Sequence, residues 1–211
     1  MPSGNVLTLI GNGGHAKSLI ETAISMNLDY SEYKLIDYRD IEEFVTNEQQ
    51  GVKRDIVLAI GSNFKRWEVY KFLNSKLMDL HFPNLIHNSS SVSKSVKFGF
   101  GNFVGANTYV GPNAQIGSFT IINTGSIIEH DSEISDFCSI APGCELGGNV
   151  KLGIRSAIGI GSTILQSVNI SDDSIVGAKS LLNIDCPNNV VMYGIPAKII
   201  RDRKYDDKYL Y

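Results

Sequence analysis

From residue 86 to residue 182, every sixth position carries a large aliphatic or aromatic residue. About a third of residues are of this kind in such a segment, so chance would give the run about once in 10⁸ registers. A helical period of 3.6 cannot keep positions six apart on one face over this distance. The series is Ile86, Val92, Phe98, Val104, Val110, Ile116, Ile122, Ile128, Ile134, Ile140, Leu146, Leu152, Ile158, Ile164, Ile170, Val176 and Leu182.

Small residues form a second series, four positions after most of the apolar ones, and glycine often follows the apolar residue directly. A chain that turns a corner every six residues points one bulky side chain per face into a lumen, and glycine eases the corners. Three hexads make one triangular coil, and stacked coils satisfy one another's backbone groups. The sequence therefore predicts a parallel β-helix of roughly five to six coils that ends near residue 188.

Residues 5–80 have a different rhythm, in which short apolar segments alternate with segments of helical spacing. Such alternation predicts an α/β domain with a parallel sheet. About 80 residues hold roughly half of a dinucleotide-binding fold, so we expect one βαβ unit, a half-Rossmann domain. The predicted strands are 5–10, 33–37 and 55–61, the predicted helices are 18–27 and 66–77, and the predicted domains are 1–82, 83–190 and 191–211.

The composition argues against several classes of protein. The net charge is −3 and no block of five like charges occurs, so no nucleic-acid-binding surface is predicted. No apolar run reaches 18 residues, and the first residues lack the pattern of a secretion signal, so no membrane span is expected. Cys138, Cys144 and Cys186 are odd in number and without metal-ligand spacing. We therefore expect a cytoplasmic protein without a bound metal.

A glycine-rich loop, GNGGHA at 11–16, lies between the first strand and the first helix, and Asp37 ends the next strand. The loop fits the pattern G-x-G-x-x-G/A, which by itself predicts binding of a dinucleotide. An NAD-dependent oxidoreductase is therefore one interpretation, and a plain glycine-rich turn is another. The short domain favours a ligand with a single nucleotide.

Six stretches spread over nearly the whole chain form a specific combination: GNGGHAK (11–17), AIGSN (59–63), NLIH (84–87), NTGSIIEHDSEISDF (123–137), CELGGNVKLG (144–153) and YGIPAKIIR (193–201). With them the chain resembles the hexapeptide-repeat acyltransferases, whose fold is a left-handed β-helix. Within that group it resembles the bacterial nucleotide-amino-sugar N-acetyltransferases that make bacillosamine and viosamine derivatives, which are related to sialic acid O-acetyltransferases. The resemblance implies acetyl-CoA as co-substrate and a UDP- or dTDP-linked 4-amino-4,6-dideoxy sugar as acceptor.

His130 lies between Glu129 and Asp131 and is the only histidine after His87. An amine that attacks a thioester must lose a proton, and an imidazole of ordinary pKa suits that task near neutral pH. The resemblance implies that His130 is the catalytic base and that Asp131 tunes it. Neighbours on an extended strand point to opposite faces, so Asp131 can orient His130 only if the backbone turns there. The alternative is an exposed polar residue on a repeat face.

The resemblance also implies that the N-terminal half binds the nucleotide of the sugar substrate. The diphosphate would then meet backbone N–H groups at a helix N-terminus. A carboxylate would accept from the base or ribose, an aromatic ring would stack on the base, and a further glycine would allow close approach. The backbone N–H groups belong to Gly13, Gly14 and His15. The carboxylate is Asp37, the aromatic ring is Tyr38 and the further glycine is Gly61, with Asn63 and Arg66 as secondary candidates.

Acetyl-CoA contacts are implied at four positions. Ser139 stands where relatives carry a second histidine near acetyl-CoA, and its hydroxyl could bond the thioester oxygen or a water. Ile160 and Ala178 align with positions that touch acetyl-CoA. Lys198 belongs to the G-x-P-A-K stretch that lines the coenzyme A groove, and three more basic residues follow it: Arg201, Arg203 and Lys204. Basic residues there can meet the phosphates of coenzyme A.

Several outward positions of the predicted coils are apolar, and a monomer would leave them in water: Ile121, Ile127, Ile154 and Ile160. The resemblance implies a homotrimer that places His130 in a cleft between two subunits.

Two alternative functions stay open. A sialic acid O-acetyltransferase keeps His130 but makes no use of the nucleotide-binding half. A non-enzymatic repeat scaffold explains the coils but neither EHD nor GNGGHA.

Overall fold

The computed structural model describes residues 5–28, 30–47 and 54–207. Its N-terminal part contains, in chain order, β1 (Asn5–Ile10), α1 (Gly14–Ser25), β2 (Tyr30–Ile36), a 3₁₀ turn (Tyr38–Asp40), α2 (Ile41–Asn47), β3 (Arg54–Leu58), α3 (Asn63–Lys76) and β4 (Leu80–His81). The strands form a parallel sheet in the order β2-β1-β3-β4. The predicted α/β fold is confirmed, but α1 begins earlier than expected, because the extended backbone of Gly13 ends the loop and starts the helix. The sequence reasoning missed α2 and β4.

Residues 85–182 form a left-handed β-helix built from two-residue strands. Each strand pairs in parallel with the strand one coil later, as Ile121 does with Ser139. The strands are β5 (Leu85–Ile86), β6 (Ser91–Val92), β7 (Lys97–Phe98), β8 (Phe103–Val104), β9 (Tyr109–Val110), β10 (Gln115–Ile116), β11 (Ile121–Ile122), β12 (Ile127–Ile128), β13 (Glu133–Ile134), β14 (Ser139–Ile140), β15 (Glu145–Leu146), β16 (Lys151–Leu152), β17 (Ala157–Ile158), β18 (Thr163–Ile164), β19 (Asn169–Ile170), β20 (Ile175–Val176) and β21 (Leu181–Leu182).

The coils present three faces, each a parallel sheet. We name them by what their outward side chains meet. The covered face runs from β5 through β8, β11, β14 and β17 to β20 and packs against other parts of the chain. The polar face consists of β7, β10, β13, β16 and β19, and its outward residues are Lys97, Gln115, Glu133, Lys151 and Asn169. The mixed face consists of β6, β9, β12, β15, β18 and β21, and its outward residues are Ser91, Tyr109, Ile127, Glu145, Thr163 and Leu181.

The hexad series fills the lumen, as predicted. From Val104 to Leu182 every member is at most 3% exposed. The small residues near the corners are buried too, and several donate to a carbonyl fifteen residues further on, as Ser126 does to Ala141 at 2.9 Å. Cys138 and Cys144 take the same position, with each thiol near the corresponding carbonyl at 3.0 and 3.1 Å. The cysteines therefore replace hydroxyl residues in a structural ladder.

The N-terminal domain packs on the covered face. Leu85, Phe103 and Ile121 of the β-helix share a buried cluster with Leu7 and Leu19. Burial of this apolar area joins the two domains through the hydrophobic effect. The expectation that Ile121 is open to a partner chain is wrong: its side chain faces outward, but the chain's own N-terminal domain covers it.

Arg66 fixes this domain contact and is only 1% exposed. Its guanidinium donates to the carbonyl of Ile60 in its own domain at 2.8 Å and to those of Phe119 and Phe137 in the β-helix at 2.8 and 3.0 Å. Asn63, also buried, bonds Arg66 and the carbonyl of Ser156. The suggestion that Asn63 and Arg66 contact the nucleotide is therefore wrong, because both side chains are enclosed between the domains.

The last described segment closes the β-helix with a hairpin of β22 (Val190–Gly194), parallel to β20, and β23 (Ala197–Asp202), antiparallel to β22. Beyond it Arg203 is buried and donates to the carbonyl of Asp173 at 2.8 Å. The expectation that Arg203 can meet coenzyme A phosphates is wrong for that reason. Among the described residues, no helix has both the length and the apolarity that crossing a membrane requires.

Candidate active site

His130 lies at the corner between β12 and β13, where the mixed face meets the polar face. Asp131 has a φ of 59°, so the backbone takes the left-handed conformation there instead of continuing as a strand. This turn puts the two neighbouring side chains on the same side. The Nδ1 atom of His130 lies 2.8 Å from Oδ2 of Asp131. The condition for Asp131 to orient His130, a turn of the backbone, is therefore met.

A second partner holds the other oxygen of Asp131. The side-chain amide of Asn113, one coil earlier, donates to Oδ1 at 3.1 Å. The hydrogen bonds from His130 and Asn113 lower the pKa of the Asp131 carboxyl. An ionised carboxylate accepts a hydrogen bond from an Nδ1–H group, and in that tautomer Nε2 is the proton acceptor. The imidazole is 59% exposed, so that acceptor can reach a ligand.

The imidazole ring of His130 packs against the backbone of Gly148, which lies one coil later. A Cβ at Gly148 would lie 2.6 Å from both Cε1 and Nε2 of His130, closer than atoms can approach. The imidazole thus lies over the bare backbone of the next coil. The sequence reasoning missed this contact, although counting eighteen residues on from His130 leads to the glycine.

The glycine loop is open on its outer side. An added Cβ would meet nothing within 4 Å at Gly13, Gly14 or Gly61. The first backbone N–H groups of α1 lack partners within the helix, as at any helix start, and can receive an anion. Gly11, in contrast, has a φ of 117° and packs so closely that a Cβ would lie 2.4 Å from the carbonyl oxygen of Ala59. The loop is therefore fixed at its base and accessible at its tip.

The carboxylate of Asp37 follows β2 and is held by Arg39, with Nε and Nη2 at 2.9 and 2.6 Å. The hydrogen bonds from Arg39 lower the pKa of Asp37, so it is an anion at neutral pH. Asn12 of the glycine loop reaches the same carboxylate at 3.3 Å. A groove of about 310 Å³ begins beside Asp37, and Tyr38 next to it is 38% exposed. Of the two predicted nucleotide contacts, Asp37 thus lies within reach of the loop.

His15 differs from the expectation that its main role is a backbone contact. Its ring packs edge-on against Phe103 of the β-helix, with centroids 5.0 Å apart, and Nε2 is buried with no hydrogen-bond partner among the described residues. Burial, with a smaller effect of Arg66, lowers the pKa of His15 to about 4. The side chain is therefore a neutral wedge between the domains, while its N–H stays in the first turn of α1.

Comparison with known proteins gives a consistent picture. Residues 6–73 match the family described as the PglD N-terminal domain. The chain is similar to perosamine N-acetyltransferase from Caulobacter crescentus, solved as a histidine-to-asparagine variant with CoA and GDP-perosamine: 30% identity, 95% of this chain and 98% of that chain covered, TM-score 0.86. The chain belongs to this family of hexapeptide-repeat sugar N-acetyltransferases.

A second similar structure is the acetyltransferase domain of PglB from Neisseria gonorrhoeae FA1090, with 28% identity, 93% of this chain and 100% of that chain covered, and a TM-score of 0.86. The same domain has also been solved with acetyl coenzyme A, at 28% identity and a TM-score of 0.82. Galactoside O-acetyltransferase from Escherichia coli (strain K12) is 43% identical over 44 residues, which are 21% of this chain and 22% of that protein. The protein is an acetyl-CoA-dependent sugar N-acetyltransferase.

Of the four residues that the sequence implies as acetyl-CoA contacts, three are exposed and one is buried. Ile160 is 57% exposed and Ala178 is exposed too, one coil apart at the corner between the covered and mixed faces. Lys198 is exposed on β23. Ser139, in contrast, is buried on the covered face and donates to Asn63 at 2.6 Å. The expectation that Ser139 contacts acetyl-CoA is wrong, because the N-terminal domain occupies its side of the coil.

Two exposed apolar residues that the sequence reasoning missed lie beyond His130 along its own corner. Leu165 follows β18 and is 45% exposed, and Ile184 follows β21 and is 54% exposed. They can contact the apolar part of a ligand that runs from His130 toward the C-terminal end of the coils. No group of three or more metal-ligating side chains is found within the described ranges.

Proposed function

We propose that this N-acetyltransferase acetylates the amine of a nucleotide-linked 4-amino-4,6-dideoxy sugar, with His130 as the general base. The observation that carries the proposal is the arrangement of His130, Asp131 and Gly148. Asp131 holds Nδ1 at 2.8 Å, Gly148 leaves room for the ring, and Nε2 remains the acceptor at an exposed corner. A single base at neutral pH is what amine attack on a thioester needs.

The reaction is direct transfer. The amine nitrogen attacks the thioester carbonyl carbon, its proton passes to Nε2 of His130, and the C–S bond breaks as the coenzyme A thiolate leaves. That thiolate then takes a proton from the imidazolium or from water. An acyl-enzyme on cysteine is disfavoured, because burial raises the pKa of the Cys138 thiol to about 12 and that of Cys186 to about 11.

The nucleotide would lie on the N-terminal domain. Gly13, Gly14 and His15 would offer backbone N–H groups to the diphosphate, and Asp37 and Tyr38 would face the base or ribose. In binding, Asp37 would exchange part of its contact with Arg39 for the ligand. The diphosphate is common to UDP, dTDP and GDP sugars, and GDP-perosamine is the ligand named for the Caulobacter relative. The loop therefore supports a nucleoside diphosphate sugar without distinguishing its base.

The test is acetyl transfer from acetyl-CoA to a panel of UDP-, dTDP- and GDP-linked amino sugars and to free sugars, sialic acid included. We expect turnover only with nucleotide-linked amines, and turnover of free sialic acid alone would support O-acetylation instead.

A second experiment tests the base: His130→Ala should lower kcat by roughly 10²–10⁴. The matched control is His81→Ala, because His81 also pairs with a carboxylate, Asp55 at 2.7 Å, but lies in the N-terminal domain. Equal kcat for His130→Ala and wild type would remove His130 from the mechanism.

We also propose that three copies assemble through the mixed face. The covered face is occupied by the chain's own domain and the polar face is charged, so the mixed face with Tyr109, Ile127 and Leu181 remains for a partner. A closed threefold ring buries apolar surface on every subunit and leaves no open edge. His130 stands at the edge of this face, so a neighbour would complete its cleft.

Sedimentation of Ile127→Glu tests the assembly. A charge on the mixed face should give monomers with little activity. Gln115→Glu, which adds the same charge on the polar face, should leave a trimer of normal activity. A wild-type monomer that turns over at full rate would contradict the shared site.

A further inference from the structure

The two oxygens of Asp131 have different partners: Oδ2 lies against His130 and Oδ1 accepts from Asn113. The Asp131 side chain is 52% exposed, so the coil around it does not enclose it. A carboxylate bound at one oxygen only can still rotate about its Cβ–Cγ bond. The second bond, from Asn113, fixes the plane of the carboxylate and with it the direction in which Oδ2 faces Nδ1 of His130.

Asn113 is itself fixed by the stacking of the coils. It lies at the equivalent corner one coil earlier, with a φ of 60°, and its backbone N–H donates to the hydroxyl of Ser95 at 2.9 Å. The strands that follow the two corners are in register, with Gln115 paired to Glu133. The amide of Asn113 is therefore delivered to Asp131 by a coil corner that the register of the stacked strands and the bond to Ser95 hold in place.

We propose that Asn113 is a positioning residue for acetyl transfer: it orients Asp131, which in turn holds His130 in the tautomer that leaves Nε2 unprotonated. The inference rests on the proposed function of His130 as general base. Asn113 moves no proton. Its contribution is a donor that an aspartate at the same position cannot supply.

Two substitutions remove the donor in different ways. Asn113→Gly tolerates the left-handed backbone and deletes the amide. Asn113→Asp keeps the size of the side chain but places a second carboxylate against Asp131. We expect kcat to fall roughly 10-fold for Asn113→Gly and further for Asn113→Asp, with KM for both substrates within about twofold of wild type.

Asn107→Gly is the matched control. Asn107 has a φ of 56° and its backbone N–H also donates to a serine hydroxyl one coil earlier, Ser89 at 3.1 Å, but it lies at another corner. It should therefore report any general cost of replacing asparagine at a coil corner. Thermal denaturation of every variant separates such a cost from an effect on turnover.

A double-mutant cycle with Asp131→Gly decides between positioning and an independent role. If Asn113 acts through Asp131, adding Asn113→Gly to Asp131→Gly should change kcat by less than about twofold. The same 10-fold loss in both backgrounds would overturn the proposal. So would wild-type kcat for Asn113→Gly while His130→Ala is inactive, a result that leaves the general base in place. An active His130→Ala variant, in contrast, would remove the proposed general base itself.

Discussion

The substitution Gly148→Ala should lower the rate of acetyl transfer without lowering the stability of the fold. The three atoms nearest to a Cβ at this position all belong to the imidazole of His130, with Cε1 and Nε2 at 2.6 Å and Cδ2 at 3.2 Å. Gly148 is not among the residues with a positive φ, so alanine fits its backbone. The three closest contacts of the added methyl group are therefore all with one side chain, the candidate base.

The size of the effect follows from the distances. Carbon atoms in contact lie about 3.5–4.0 Å apart, so the ring must move by about 1 Å. A displacement of about 1 Å in a catalytic group costs roughly 100-fold in rate. The His130 side chain is 59% exposed and can move toward solvent, so the fold should not suffer. Replacing glycine by alanine where the backbone allows it stabilises a protein by about 0.4–1 kcal/mol through the unfolded state.

The assay is steady-state acetyl transfer together with thermal denaturation. We expect kcat about 100-fold below wild type with an unchanged or slightly higher Tm. In a His130→Ala background, where no ring is present, Gly148→Ala should have no further effect. Wild-type kcat for Gly148→Ala would refute the reasoning, since it would mean that Nε2 acts from a position other than the one over Gly148.

Two further predictions concern the N-terminal domain. Gly13→Val should weaken binding of the nucleotide sugar and leave acetyl-CoA binding unchanged, because the added side chain fits the protein but blocks the approach of a diphosphate. Calorimetry with both ligands measures this. Loss of acetyl-CoA binding alone would reverse the assignment of the two sites. The pKa of His15 falls from 6.5 to about 4 on folding, so its stabilising contribution is complete above pH 6.5 and is lost as the pH falls toward 4. The free energy of unfolding should drop by about 2 kcal/mol between pH 7 and 5 from this group, and the same drop in His15→Phe would show that another group is responsible.

The β-helix could be predicted from the sequence because its code is local and repeated. Each hexad needs one bulky residue for the lumen and one small residue near the corner, so the pattern remains visible in the chain itself. The cysteines illustrate this. Cys138 and Cys144 fall on the small-residue positions, and the structure finds both buried in the corner ladder. The glycine loop could be predicted for a similar reason, since strand, turn and helix are consecutive.

The domain contact could not be predicted in that way. Ile121 and Ser139 have the outward spacing of residues that meet solvent or a ligand, yet both lie under the N-terminal domain. Arg66 is a secondary candidate for the nucleotide site on sequence grounds, and its charge is instead enclosed by backbone carbonyls. Which face of the coils is covered depends on how the two domains dock, and no local pattern encodes that choice.

In the candidate site, too, some features follow from the sequence and others depend on the tertiary structure. By itself the sequence determined that His130 stands two positions after the lumen residue Ile128, with Asp131 beside it. Only the tertiary structure decided that the two side chains meet, because that depends on the φ of 59° at Asp131. Stacking then brings Asn113 from the coil before and Gly148 from the coil after. Residues eighteen apart become neighbours only when the coil closes, and that spacing is a property of the folded solenoid.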